Sequence, residues 1–127
     1  MGVKDLRILV IDDAPDVLDV FTLLLRVEGA EVEGARTGHE ALSIFRRGHF
    51  DVVVSDLGLA DIPGDVLIRT MIAAAQRPLA VVVITGDSRP AAVARAREAG
   101  AAVIFAKPCR WESVVAYLDG LSLAPAA

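Results

Sequence analysis

Three carboxylates and one lysine stand where apolar runs stop. Ile8-Leu9-Val10-Ile11 leads straight into Asp12-Asp13, Val52-Val53-Val54-Ser55 into Asp56, and Val103-Ile104-Phe105-Ala106 into Lys107. Adjacent acids repel one another and resist desolvation. A hard dication such as Mg2+ offsets them, since it takes oxygen ligands and needs only one or two carboxylates from the protein. A carboxylate in such a place is also a nucleophile able to accept a phosphoryl group as an aspartyl-phosphate. That transfer rests on positioning and charge stabilisation, because an anion attacks phosphorus ringed by anionic oxygens. On this reading Asp13 and Asp56 bind the metal directly, the Gly58 carbonyl is a third ligand, and Asp12 acts through a bound water. Lys107, one of two lysines in the chain, supplies a compact second cation where a guanidinium fork would be bulkier. Thr85 offers a hydroxyl to an incoming phosphoryl oxygen, and Gly86 leaves room for it.

Short apolar runs bounded by turn residues read as strands buried on both faces. The first spans about 7–12. Pro15 suits the first turn of a helix in which Val17, Phe21, Leu24 and Val27, with Val20 beside them, give the inward stripe, and Gly29 caps its end. Residues 30–34 alternate apolar with Glu31 and Glu33, as an edge strand does. Thr37 and Glu40 have capping-box spacing before a helix lined by Ala41, Leu42 and Phe45 and ending near Gly48. A third strand spans 51–55. Helix 3 carries Leu67, Ile68, Met71, Ile72 and Ala75 and cannot pass Pro78. Strand 4 spans 80–84. Helix 4 opens at Pro90, turns Val93, Ala96 and Ala99 inward and stops at Gly100. Strand 5 spans 102–106, helix 5 runs from about 110 to 121, and 122–127 is a tail of small residues.

Five strands alternating with five helices predict an α/β fold, a doubly wound parallel sheet covered on both faces. An edge position for strand 2 favours the flavodoxin-like order 2-1-3-4-5, whose ligands sit beyond the strand ends at the switch between strands 1 and 3. Asp12, Asp13 and Asp56 fall there.

The chain has 127 residues, a net charge of −4 and one cysteine, Cys109. One domain is expected, with its core over about 6–121. An acidic balance argues against nucleic-acid binding by this domain. A lone cysteine excludes an internal disulfide and reads as a small buried hydrophobe. No apolar run approaches the ~20 residues of a membrane helix, and the first residues lack a signal-peptide h-region; a cytoplasmic location is expected. His39 and His49 read as surface residues away from the acids.

In order and spacing, Asp12-Asp13, Ser55-Asp56, Ile84-Thr85-Gly86 and Ala106-Lys107-Pro108 resemble the receiver domain of response regulators, the phosphoacceptor half of two-component signalling. The resemblance covers about 6–121. It implies that Asp56 takes a phosphoryl group from a histidine kinase or histidine phosphotransfer protein, that Asp12, Asp13, Asp56 and Gly58 serve Mg2+, that Thr85 is the switch residue, and that Lys107 holds the phosphoryl group. It also implies a cis bond before Pro108 and a signalling switch, not a turnover enzyme, that acts as a monomer or weak dimer. The output face it implies is helix 4, strand 5 and helix 5.

Two positions depart from the family pattern. Ile104 stands where an aromatic residue is common, so Thr85 is expected to signal through the loop before helix 4. Ala60 stands where a proline is common after the phosphoacceptor. The alternatives are a degenerate receiver acting as a phosphorylation-independent interaction module, and a flavodoxin-like cofactor binder or phosphatase. Against the last, Asp12-Asp13-Ala14-Pro15-Asp16 is poor in donors for a cofactor phosphate, and Gly58 stands where a phosphohydrolase would carry a second acid.

Overall fold

A computed structural model describes residues 2–123. After a 3-10 turn at Gly2–Asp5 the order is β1 (Arg7–Ile11), α1 (Pro15–Val27), β2 (Glu31–Ala35), α2 (Gly38–Arg47), β3 (Val52–Ser55), α3 (Gly64–Ala74), β4 (Ala80–Thr85), α4 (Pro90–Ala99), β5 (Val103–Ala106) and α5 (Trp111–Leu123). All strand pairs are parallel, and the sheet order is β2-β1-β3-β4-β5. This is the expected flavodoxin-like arrangement. Ser122 and Leu123, expected in the tail, belong to α5; 124–127 lie outside the described residues.

Strand alternation divides the core into two layers. Ile8, Val10, Val52, Val54, Val82 and Ile84 face Leu18 and Leu25 of α1 and Val114 and Leu118 of α5. Leu9, Ile11 and Val53 face Ala41 and Phe45 of α2 and Leu67 and Met71 of α3. Val81 and Val83 continue that second layer with Ala99 and Ile104. Phe105 turns the other way, edge-on to Tyr117. The middle of the sheet is thus dry on both sides, and only its ends meet water.

The inward face of α1 differs in part from the expected stripe, of which Phe21 packs against the core. Leu18 and Leu25 are buried, whereas Val20 and Val27 are 54% and 74% exposed. Asp16, Asp19 and Arg26 share one side of this helix, PDVLDVFTLLLRV, and the apolar arc opposite is so wide that periodicity does not fix which edge of it is buried. Its seating on β1 and β2 does. The helix ends follow expectation more closely. Thr37 accepts from the Glu40 backbone N–H at 3.0 Å, while Glu40 reaches back to the Arg36 N–H at 2.7 Å. Gly29 and Gly100 take positive φ at the ends of α1 and α4, a conformation that costs a residue with a Cβ.

The register sets the functional edge. Ile11 pairs with Ala35 and Ser55, Ser55 with Val83, and Thr85 with Ala106. One more rung continues beyond the strands: Asp12 N to Ala35 O (3.1 Å), Asp56 N to Ile11 O (3.1 Å) and Lys107 N to Thr85 O (2.8 Å). The backbones of Asp12, Asp56 and Lys107 are therefore held by the sheet itself before any side chain makes a contact.

Candidate functional site

Asp12, Asp13 and Asp56 each offer a carboxylate oxygen, all within 4.8 Å of one another. Lys107 Nζ donates to Asp56 Oδ2 at 2.9 Å and to Asp12 Oδ2 at 3.4 Å. The remaining oxygens of two of these acids are held by the backbone: Asp12 Oδ1 accepts from Ala14 N at 2.9 Å, and Asp56 Oδ1 from Gly58 N at 3.0 Å. Asp12 is buried and Asp13 exposed, with Asp56 between them. Three negative charges face one positive charge in a partly dry recess, so the cluster carries an unbalanced negative charge. Burial works against the Lys107 ammonium, but its hydrogen bond to Asp56 and the charges of Asp56 and Asp12 outweigh that and hold its pKa above the ordinary lysine value. All the acidic donors are oxygens, two of them backed by N–H groups. That is the donor chemistry Mg2+ or Ca2+ accepts and a soft metal does not.

Thr85 ends β4, next to β3 in the sheet, and is buried. Its hydroxyl oxygen accepts from Asp87 N at 3.1 Å. A Cβ placed on Gly86 would meet nothing within 4 Å, so the space expected there is present. The Lys107-Pro108 bond is cis. Asp12, Asp13, Asp56, Thr85 and Lys107 thus stand at the C-terminal ends of β1, β3, β4 and β5.

The sequence model of the response regulator receiver domain matches residues 8–119. The chain belongs to that family. It is 36% identical over 105 residues to the alginate biosynthesis transcriptional regulatory protein AlgB of Pseudomonas syringae pv. tomato, covering 81% of this chain and 23% of that protein. It is 38% identical over 109 residues to protein-glutamate methylesterase/protein-glutamine glutaminase 6 of Anaeromyxobacter dehalogenans, covering 84% of this chain and 31% of that protein. The receiver therefore spans between about a quarter and a third of these relatives. Among solved structures, a response regulator from Burkholderia pseudomallei with a phosphorylated aspartic acid, calcium ion and citrate aligns with a TM-score of 0.82 at 30% identity, over 90% of this chain and 66% of that one. The BeF3-activated DrrB receiver domain aligns with a TM-score of 0.86 at 26% identity, over 98% and 100%.

Two features of this receiver were not anticipated. Arg89 clamps Asp87 with Nε at 2.8 Å, Nη2 at 2.7 Å and its backbone N–H at 3.2 Å. The spacing of Thr85, Asp87 and Arg89 was the available signal, since short polar side chains close turns two residues on. These side-chain and then backbone hydrogen bonds from Arg89 hold the Asp87 carboxyl down to about 2. Because that value is depressed, the clamp contributes to loop order above the ordinary aspartate value and is lost as pH falls through about 2. A pH titration of the Asp87 carboxyl carbon by NMR is expected to show its midpoint near there; a midpoint close to 4, ordinary for an aspartate, would sink the clamp.

The second feature concerns His39, whose Nδ1 lies 2.6 Å from Asp61 Oδ2. It remains largely exposed and apart from the acid cluster, but it is not free of acids. No sequence pattern linked residues 39 and 61, because the contact joins the first turn of α2 to the loop after β3.

Gly58 has no side chain over the carboxylate of Asp56, and a Cβ there would meet only Asp56 Oδ1, at 3.6 Å. A Cβ therefore fits at this position without strain. Gly58→Lys is expected to lengthen the life of any phosphoryl group on Asp56 by about tenfold through shielding from water. Equal or faster loss, followed by intact mass after removal of the phosphodonor, would contradict this.

Proposed function

We propose that this receiver is a phosphoacceptor switch in which Asp56 takes a phosphoryl group from a histidine kinase or histidine phosphotransfer protein. The observation that carries the reading is the 2.9 Å contact of Lys107 Nζ with Asp56 Oδ2 inside a three-carboxylate cluster. An Asp56 oxygen attacks phosphorus as the bond from phosphorus to the donor's imidazole nitrogen breaks. The electron pair leaves on that nitrogen, and an acyl phosphate remains on Asp56. Lys107, already in contact, neutralises oxygen charge through the transfer. Thr85 gives up its loop contact to meet a phosphoryl oxygen, which pulls on the β4–α4 loop. Asp12, Asp13, Asp56 and the Gly58 carbonyl would hold Mg2+, which supplies positive charge to the phosphoryl oxygens when bound. Water attack on the acyl phosphate returns Asp56 and inorganic phosphate.

The switch biases a pre-existing equilibrium of the α4, β5 and α5 face. Ile104 is aliphatic and packs with Val81 and Val83, so the signal runs through the backbone after Thr85 and not through a rotating ring. The protein is read as a signalling element without turnover of its own, cytoplasmic, a monomer or weak dimer, with a protein target and no nucleic acid bound by this domain. A net charge of −4 supports that last point, and no helix among the described residues is long and apolar enough to cross a membrane. A second reading, a phosphorylation-independent interaction module, draws on Ile104 and Ala60. Incubation with acetyl phosphate and Mg2+ separates the two: a mass gain of one phosphoryl group on Asp56 supports the switch, and no gain supports the module.

A further inference from the structure

The segment from Asp56 to Gly64 carries the Gly58 carbonyl and the backbone N–H that orients Asp56. Between Asp56 and Pro63 no ring fixes a φ angle, and the loop has three anchors. Leu59 is buried in the layer beneath it. Ile62 lies against α2, close enough that a Cβ on Gly38 would come within 2.9 Å of its Cδ1. The third anchor is polar. Asp61 Oδ1 accepts from Gly38 N at 2.9 Å, and Oδ2 accepts from His39 N at 2.9 Å and faces His39 Nδ1.

Gly38 and His39 open α2, and their N–H groups have no partner within the helix. Thr37 satisfies the next one, on Glu40. The first three N–H groups of α2 are thus shared between the helix's own cap and a residue from another loop. The backbone bonds from His39 and Gly38 hold the Asp61 carboxyl well below the usual aspartate range, so the tether is ionised under ordinary conditions. A negative group here also meets the positive end of the helix dipole.

We propose that Asp61 is a positioning residue for the phosphoryl-transfer site: its carboxylate clasps the loop after Asp56 to the first turn of α2 and so holds Gly58 where the metal and Asp56 require it. Asp61 touches neither phosphorus nor metal. It acts through the two intervening residues, Leu59 and Ala60, and the inference rests on the switch reading for its functional consequence.

The test compares the full chain with Asp61→Ala and Asp61→Asn by two measurements. Mg2+ titration, followed by the amide signals of residues 56–59, is expected to give an apparent Kd raised about fivefold to tenfold in Asp61→Ala, at the lower side of what a misplaced supporting residue costs a metal site. Asp61→Asn, which keeps one acceptor oxygen, falls between. The second measurement is amide hydrogen exchange with neither metal nor phosphodonor. Exchange at Gly58 and Leu59 is expected to quicken about tenfold in Asp61→Ala through local opening, while β1, β3 and β4 amides keep their protection. Unchanged exchange overturns the clasp. A lowered Tm with unaltered Mg2+ affinity overturns the positioning role and leaves a helix cap. If the unaltered chain binds no Mg2+, the switch reading falls, and the clasp stands or falls on exchange alone.

Discussion

Asp56→Asn is expected to abolish phosphorylation while leaving the fold intact, and charge arithmetic explains why both follow. Replacing the carboxylate removes the nucleophile, since an amide oxygen does not form a stable acyl phosphate here. It also removes one attraction, to Lys107 at 2.9 Å, and two repulsions, from acids whose oxygens lie within 4.8 Å. With an effective dielectric of about 20 the attraction is worth about 6 kcal/mol and the two repulsions together at least about 7. The repulsions at least offset the attraction, so stability without metal is expected to hold or to rise by about 1 kcal/mol or more. Any rise in Tm that Mg2+ gives the unaltered chain is expected to be mostly lost in the variant. Acetyl phosphate with Mg2+, read by intact mass, is expected to add one phosphoryl group to the unaltered chain and none to the variant. Phosphoryl gain by a folded Asp56→Asn would move the acceptor elsewhere and remove the basis of the switch.

Lys107→Ala separates the two cations of the site, because its effects are expected to run in opposite directions. The ammonium contacts Asp56 and Asp12, and Asp12 is buried. Deleting it leaves three acids facing one another with no countercharge. Without metal the loss is expected to be about 1–3 kcal/mol, below that of a fully buried pair because Lys107 is a third exposed. Millimolar Mg2+ restores much of it. Mg2+ affinity itself rises, since a competing positive charge has gone from the same carboxylates. Phosphorylation falls by about a hundredfold to a thousandfold at saturating Mg2+, as expected when a charge-stabilising donor is removed. A drop in both metal affinity and rate would mean that Lys107 merely props the loop.

The pH dependence of this pair has a definite sign. The pKa of Lys107 is raised, so its contribution is complete below the ordinary lysine value and is lost only as pH rises beyond it. Acidification therefore leaves this cation charged. Melting profiles across the alkaline range are the appropriate check.

Much of the site was written in residue order. Apolar runs ending in Asp12-Asp13, Asp56 and Lys107 needed only the rule that parallel strands present their C-terminal ends on one edge, and the alternating pattern specified such a sheet. The buried strands were legible because a strand dry on both faces must be apolar throughout. The caps at Thr37, Gly29 and Gly100 were legible because they depend on neighbours within four residues. What failed was non-local. The buried edge of α1 could not be chosen from its wide apolar arc, and Leu18 and Leu25 are buried while Val20 and Val27 stay exposed. The approach of Asp61 to α2 joined residues 22 and 23 positions apart, with no periodicity to announce it.

The chain's local chemistry by itself determined which groups could act: carboxylates and an ammonium at strand ends, a small residue beside a hydroxyl, helices that start and stop where caps permit. Tertiary packing decided how close those groups come and what holds them there. Distances such as 2.9 Å from Lys107 to Asp56 follow from strand register, helix seating and loop tethers. Those depend on residues far apart in the chain meeting across the sheet, and short-range sequence rules do not carry that information.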